Sequence, residues 1–283
     1  MAKTIKITQD EWFAIEREKA RQQGFYFVED LGGWSKSDRE IYLKYHQPMK
    51  ILYIHDLSSS GSSGTADRLR RFMPNDIIFS PDLPIEPQEA LTILKALVER
   101  EHIDLVIGTS MGGMFAQKLR GVKKILVNPS FHVSRSMRTK LGMNEFFSPR
   151  TDGATRYEIT EELCDRYEEL ENGQFDNLAD EQEITLGLFG TADDVINCSE
   201  EYKQYYTRFR QFNGGHRLTE KDIKFSLLYE IEQCRKQIVR LEVDNSQDPL
   251  RKRFFHKLYL LPSKPTKDRL INRECLMPDT LCV

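Results

Sequence analysis

From Lys50 onward short apolar runs alternate with amphipathic stretches, and each change of period marks a change of element. Ile51 to His55, Ile77 to Phe79, Leu105 to Ile107, Ile125 to Val127, Thr185 to Phe189 and roughly Arg208 to Phe212 read as buried strands. Segments 65–73, 88–101, 111–120 and 198–207 carry helical spacing between them, and beyond Thr219 the residues Ile223, Leu227, Leu228, Ile231 and Ile238 fall on one helix face. Strands alternating with helices in this way predict an α/β chain: an open, doubly wound, mostly parallel sheet of about six strands with helices on both faces.

The pattern breaks in three places. Between Ser130 and Glu183 a polar stretch containing Thr151-Asp152-Gly153-Ala154-Thr155 and an acidic helix around 160–171 interrupts the sheet rhythm. An insertion here lies above the carboxyl ends of the strands, so 131–183 is expected to form a small helical cap, against the plainer alternative of a solvated helix pair. Residues 1–49 are polar but carry two capping boxes, Thr8 to Glu11 and Ser37 to Glu40, with Gly24 and Pro48 as stops. With Trp12, Phe13, Phe25, Tyr26, Phe27 and Trp34 among them, they are expected to form a helical extension packed on the core. Residues 50–240 then form the main domain, and 241–283 a charged, irregular tail with Arg251-Lys252-Arg253 and three later prolines.

Length and charge narrow the function classes. A chain of 283 residues can bury one large core and still carry extensions. A net charge of −3 gives no reason to expect nucleic acid as a partner. Cys164, Cys198, Cys234, Cys275 and Cys282 show neither CxxC pairing nor metal-ligand spacing, and no signal-peptide pattern precedes them, which points to a reducing cytoplasm. No apolar run approaches the roughly 20 residues that span a bilayer.

Candidate chemistry begins at Gly108-Thr109-Ser110-Met111-Gly112-Gly113, directly after an apolar strand and at the start of a helix. Gly-x-Ser-x-Gly in that context places a serine on a strained turn with its hydroxyl at the carboxyl end of a sheet. A serine nucleophile needs a base and a carboxylate to orient the base. The next strand but one runs into Gly190-Thr191-Ala192-Asp193-Asp194-Val195, and the last into Asn213-Gly214-Gly215-His216. Either aspartate can supply the acid, and both can also serve as ordinary helix-capping turn residues. The order Ser, Asp, His differs from that of the chymotrypsin and subtilisin types.

On these residues the chain resembles the α/β-hydrolase superfamily and, within it, the small bacterial esterases of the YqiA/YcfP-like group. The resemblance covers about residues 50–238 and includes Tyr53-Ile54-His55-Asp56, Ser80-Pro81-Asp82-Leu83-Pro84 and Asn128-Pro129-Ser130. It implies Ser110 as nucleophile, His216 as general base and then acid, and Asp193 as the orienting carboxylate, with Asp194 the alternative acid. The oxyanion donors it implies are the backbone amides of Met111 and Leu57. Asp56 departs from the pattern, because relatives commonly have Gly there; a carboxylate turned inward at that place opposes an oxyanion.

Other candidates weigh less. The Ser58-Ser59-Ser60-Gly61-Ser62-Ser63-Gly64-Thr65 stretch lacks the endings of a P-loop or dinucleotide site and reads as a flexible oxyanion loop. His55 is expected to orient that loop, and His132 to have a plain loop role. The expected function is a serine esterase or thioesterase working through an acyl-enzyme, without cofactor or metal, on a small-molecule acyl ester or thioester. The rival reading is a catalytically silent binding module on the same fold.

Overall fold

The computed structural model describes residues 48–244. The expected amino-terminal extension, all but its last two residues, and the tail beyond 244 lie outside the described residues. Six parallel strands form the main sheet: β1 (Lys50–Ile54), β2 (Ile77–Phe79), β3 (Leu105–Thr109), β4 (Lys123–Val127), β7 (Thr185–Gly190) and β8 (Phe209–Phe212), in the order β2-β1-β3-β4-β7-β8. This is the α/β-hydrolase fold.

The inner strands β1, β3, β4 and β7 are buried on both sides, the edge strands β2 and β8 only in part, and the alternation of side chains divides the core in two. Ile51 and Tyr53 of β1, Leu105 and Ile107 of β3, and Ile125 and Val127 of β4 meet α1 (Gly64–Phe72) on one face. The same face receives Ile223, Leu227 and Ile231 from the last helix. Leu52, Ile54, Val106 and Leu126 point the other way, toward α2 (Pro87–Glu101), α3 (Met111–Lys118) and α6 (Ser199–Tyr205). Fully burying each such aliphatic side chain contributes roughly 1.5–3 kcal/mol, which is why helices on both faces are required.

The last helix begins at a capping box. Thr219 Oγ1 accepts from the Asp222 amide, while Asp222 Oδ2 accepts from the Thr219 amide, opening the short α7 (Glu220–Asp222). A π-helical turn, Ile223–Leu227, leads into α8 (Leu228–Asp244), which carries helix four residues past the expected boundary at 240.

Strand β4 starts earlier than its apolar run. Lys123 and Lys124 belong to it, and Lys124 is 1% exposed. Its ammonium is paired with Glu181, on the 3-10 turn Ala179–Glu181, and the other Glu181 oxygen accepts the Gly121 amide at 2.9 Å. Burial pushes the Lys124 pKa down, and only the hydrogen bond and charge of Glu181 oppose it.

The segment between β4 and β7 contains more than helices. It runs through α4 (Val133–Arg138), β5 (Gly142–Glu145), β6 (Arg156–Ile159) and α5 (Glu161–Glu171), and β5 and β6 pair antiparallel as a separate two-stranded sheet. Thr160 caps α5 by accepting the Leu163 amide, which gives the acidic helix its start. Tyr157, Ile159, Leu163 and Tyr167 turn inward and join the core on the α3 side of the main sheet.

Replacing Glu181 with Ala removes the partner of a buried cation and the acceptor of the Gly121 amide. Urea denaturation is expected to show a loss of about 3–5 kcal/mol, the range for breaking a buried ion pair from one side.

Candidate active site

Where β3 meets α3, backbone packs directly on backbone. A Cβ at Gly108 would lie 2.1 Å from the Gly112 carbonyl oxygen, and one at Gly112 would lie 2.1 Å from that of Ile54. Only residues without side chains let the helix start this close to β1 and β3. Ser110, caught between them, has φ 51° and ψ −118°, a strained conformation for a side-chain-bearing residue. Its amide donates to Val127 O at 3.1 Å, and its carbonyl accepts from Ser130 N at 3.0 Å.

The loops after β7 and β8 lie against each other. Thr191 N donates to Phe212 O and Ala192 N to Gly214 O, each at 2.9 Å, which brings Asp193 beside His216. The structure places Asp193 Oδ2 2.8 Å from His216 Nδ1, and His216 Nε2 3.1 Å from Ser110 Oγ. Of the two candidate acids, Asp193 meets the imidazole and Asp194 is exposed. Asp193 is also a turn residue, since its Oδ1 accepts the amides of Val195 at 2.9 Å and Ile196 at 3.0 Å. Those bonds hold the carboxylate still while its second oxygen faces the ring. The Asp193 side chain is 4% exposed and that of His216 11%, so water screens the pair little.

Residues 50–225, more than half of the chain, match the model of the uncharacterised protein family UPF0227. The chain belongs to UPF0227. Among curated proteins none matches it. Of solved structures, it resembles Est1E from Butyrivibrio proteoclasticus at 10% identity and TM-score 0.48, over 66% of this chain and 89% of that one. A monoacylglycerol lipase from Paleococcus ferrophilus is similar at 13% identity and TM-score 0.44, over 70% of this chain and 97% of that one. A structure described under LipS and LipT, two metagenome-derived lipolytic enzymes, is similar at 13% identity and TM-score 0.48, over 67% and 94%.

In this UPF0227 chain the expected oxyanion donors come from two elements. Met111 supplies the first N–H of α3, which has no carbonyl one turn back to receive it. Leu57 lies in the loop after β1, half-buried against the core, and its amide has no acceptor among the described residues. Asp56 beside it is half-buried, and its carbonyl accepts from Ser59 N at 3.2 Å. Burial, and after it the Asp56 charge, pushes the Tyr53 phenol up to about 12.

His55 orients this loop as the sequence led one to expect. Its Nδ1 lies 2.9 Å from Asp56 O, and its Nε2 receives the Leu83 amide at 3.4 Å. A carbonyl can only accept and an amide N–H can only donate, so the proton sits on Nδ1 and the ring is neutral. Burial lowers the His55 pKa in the same sense. His132 pairs with Glu201, Nε2 to Oε1 at 2.8 Å.

The serine-rich loop differs from a freely moving one, because the β5–β6 hairpin and the 80–84 segment hold it. Ser58 Oγ bonds Tyr157 Oη, Phe147 N donates to Ser58 O at 2.7 Å, and Ser60 Oγ donates to Pro149 O at 2.7 Å. Ser63 caps α1 by accepting the Ala66 amide. Asp82 ties the two sides together: Oδ1 accepts Gly61 N, and Oδ2 accepts both the amide and the hydroxyl of Thr151.

Sequence reading gave no role to two residues at this site. Tyr157 has no place in the sequence analysis, although the alternation Arg156-Tyr157-Glu158-Ile159 is a strand signal. Asn128 appeared only within a motif, and yet its side chain bonds Gly190, Gly215 and His216.

Burial raises the Asp82 pKa, but the hydrogen bonds from Thr151 and Gly61 and the Arg150 charge outweigh it and hold the carboxyl below its ordinary value. A depressed folded pKa means the clamp's contribution is complete above the unfolded value of about 3.9 and is lost as pH falls through the folded one. The stability difference between the native protein and Asp82→Asn, measured by urea denaturation across pH, is therefore expected to stay constant near neutrality and shrink below about pH 4.

Proposed function

We propose that the protein is a serine hydrolase that cleaves a carboxylic ester or thioester through an acyl-enzyme. The observation that carries this reading is the unbroken line from Asp193 Oδ2 through His216 to Ser110 Oγ, at 2.8 and 3.1 Å. The Asp193 carboxylate can only accept, so it keeps the imidazole proton on Nδ1 and leaves Nε2 free to accept from the serine hydroxyl.

In that reading Ser110 Oγ attacks the acyl carbon as its proton passes to His216 Nε2, and the imidazolium is stabilised by Asp193. The carbonyl oxygen becomes an oxyanion facing the amides of Met111 and Leu57. Each such donor contributes about 2.7–4 kcal/mol of transition-state stabilisation. His216 then returns the proton to the leaving alcohol or thiol as the carbon–oxygen or carbon–sulfur bond breaks, giving the acyl-Ser110 ester. Water attacks that ester with His216 again taking a proton, and the second collapse frees the acid and restores the Ser110 hydroxyl. Every proton is accounted for by one imidazole, so the chain's own residues complete the cycle.

The insertion 131–183 supports a cap role in the same reading. Tyr167 Oη reaches Met111 Sδ at 3.5 Å, and Phe147, a residue 70% exposed, donates its amide to Ser58 O. The Arg217 guanidinium, next to His216, lies 5.3 Å from the Phe147 ring. An exposed aromatic reaching from the oxyanion loop to the histidine loop favours a substrate with an apolar group beside the scissile bond.

Labelling with a fluorophosphonate probe tests the reading. The native protein is expected to be labelled at Ser110 and to hydrolyse short-chain aryl esters, and Ser110→Ala to lose both while keeping its melting temperature. Asp193→Asn is expected to lower kcat by about 10⁴. Absence of labelling in the native protein, or labelling that persists in Ser110→Ala, would overturn it in favour of a silent binding module.

A further inference from the structure

The three loops that carry Ser110, Asp193 and His216 follow different strands, and one short turn touches all of them. That turn is Val127-Asn128-Pro129-Ser130, at the end of β4. Val127 O accepts the Ser110 amide and Ser130 N donates to the Ser110 carbonyl, so the turn grips the nucleophile's backbone from both sides. Asn128 N donates to Leu188 O at 3.0 Å, fixing the turn to β7.

The Asn128 side chain reaches the other two loops. Its Oδ1 accepts the Gly190 amide at 2.7 Å, where the loop to Asp193 begins. Its Nδ2 donates to the carbonyls of Gly215 and His216, each at 3.0 Å, one on either side of the histidine's own Cα. Asn128 is 2% exposed and has φ 43°, a left-handed conformation that asparagine adopts more readily than most residues. Both side-chain heteroatoms are engaged, and the three bonds leave no freedom to rotate the amide.

The histidine loop needs such a hold. His216 follows two glycines and lies beyond the end of β8, so no strand ladder fixes the peptide planes on either side of it. A rotation of those planes swings the imidazole away from Ser110 Oγ or from Asp193, and the line of hydrogen bonds opens.

We propose that Asn128 is a positioning residue: by joining the acid loop to the histidine loop through one side-chain amide, it sets the angle at which His216 meets Ser110. The inference rests on the reading of Ser110, His216 and Asp193 as a catalytic set, but its geometric content is separable from activity. Asn128→Asp is nearly isosteric and keeps an acceptor for Gly190 N. It turns the donor that serves Gly215 and His216 into a second oxygen, which repels their carbonyls. Asn128→Gly removes all three bonds and accepts the same φ.

The experiment compares the native full-length protein with these two variants in fluorophosphonate labelling, in kcat and KM on an aryl ester, and in the proton resonance of the His216 Nδ1–H held by Asp193. Both variants are expected to label about 100-fold more slowly, as misplacement of a reacting group by an ångström does. The loss should fall on kcat with KM little changed, and the His216 resonance should shift or disappear. Labelling, kcat and resonance all indistinguishable from native would overturn the proposal, as would a fall in melting temperature alone. A native protein that shows the resonance but takes no label, with the resonance lost in the variants, would sink the hydrolase reading and leave the positioning role standing. Should neither variant fold, scalar couplings across the Asn128 Nδ2 hydrogen bonds in the native protein decide it, and their absence overturns the proposal.

Discussion

The crossing of α3 over β1 and β3 is the constraint on which the site depends. At Gly108 and Gly112 the space left for a Cβ is 2.1 Å from a carbonyl oxygen, a distance that only backbone without a side chain tolerates. Because the helix must begin that close to the strand, the chain turns within a single residue. Ser110 takes the strained conformation and projects its hydroxyl beyond the sheet, while the Met111 amide is left at the helix start with no intrahelical partner. Strain at Ser110 and an orphan donor beside it are thus two results of the same close contact.

The remaining parts of the site are held by side chains that reach between loops and not by further regular structure. Asp82 fastens the serine-rich loop to the β5–β6 connection, and His55 fastens the same loop to the 80–84 segment. Asp193 uses one carboxylate oxygen on its own turn and the other on His216. Each of these groups has few rotamers left once its bonds are made. The loops at the carboxyl edge of the sheet therefore inherit rigidity from these polar groups, of which water reaches His55 and Asp193 poorly and Asp82 more freely.

Much of this was legible beforehand, for local reasons. Apolar runs between amphipathic helices betray a parallel sheet, since a strand covered on both faces has no polar side to show. Gly-x-Ser-x-Gly between strand and helix reveals the tight turn that carries Ser110. Legibility failed where a residue's partner is distant in sequence. Lys123 and Lys124 were left out of β4 because two lysines do not look buried, and nothing near them reveals that Glu181 will neutralise Lys124. The β5–β6 hairpin was missed because Gly142-Met143-Asn144-Glu145 has almost no apolar alternation of its own, and the two strands are joined by a polar connection. The choice between Asp193 and Asp194 also stayed open on residue type alone, as adjacent aspartates on one turn look alike until a ring approaches one of them.

The sequence by itself determined the sheet, the helices on its two faces, the turn that carries Ser110 and the order in which a carboxylate and an imidazole follow it. All of these depend on period and on the conformational limits of residues close together in the chain. Tertiary structure alone decided which aspartate faces His216, that Tyr157 and Phe147 hold the loop after β1, and that Asn128 links three loops. Those outcomes depend on hydrogen bonds between residues up to 99 positions apart, such as Ser58 and Tyr157, whose geometry no local pattern encodes.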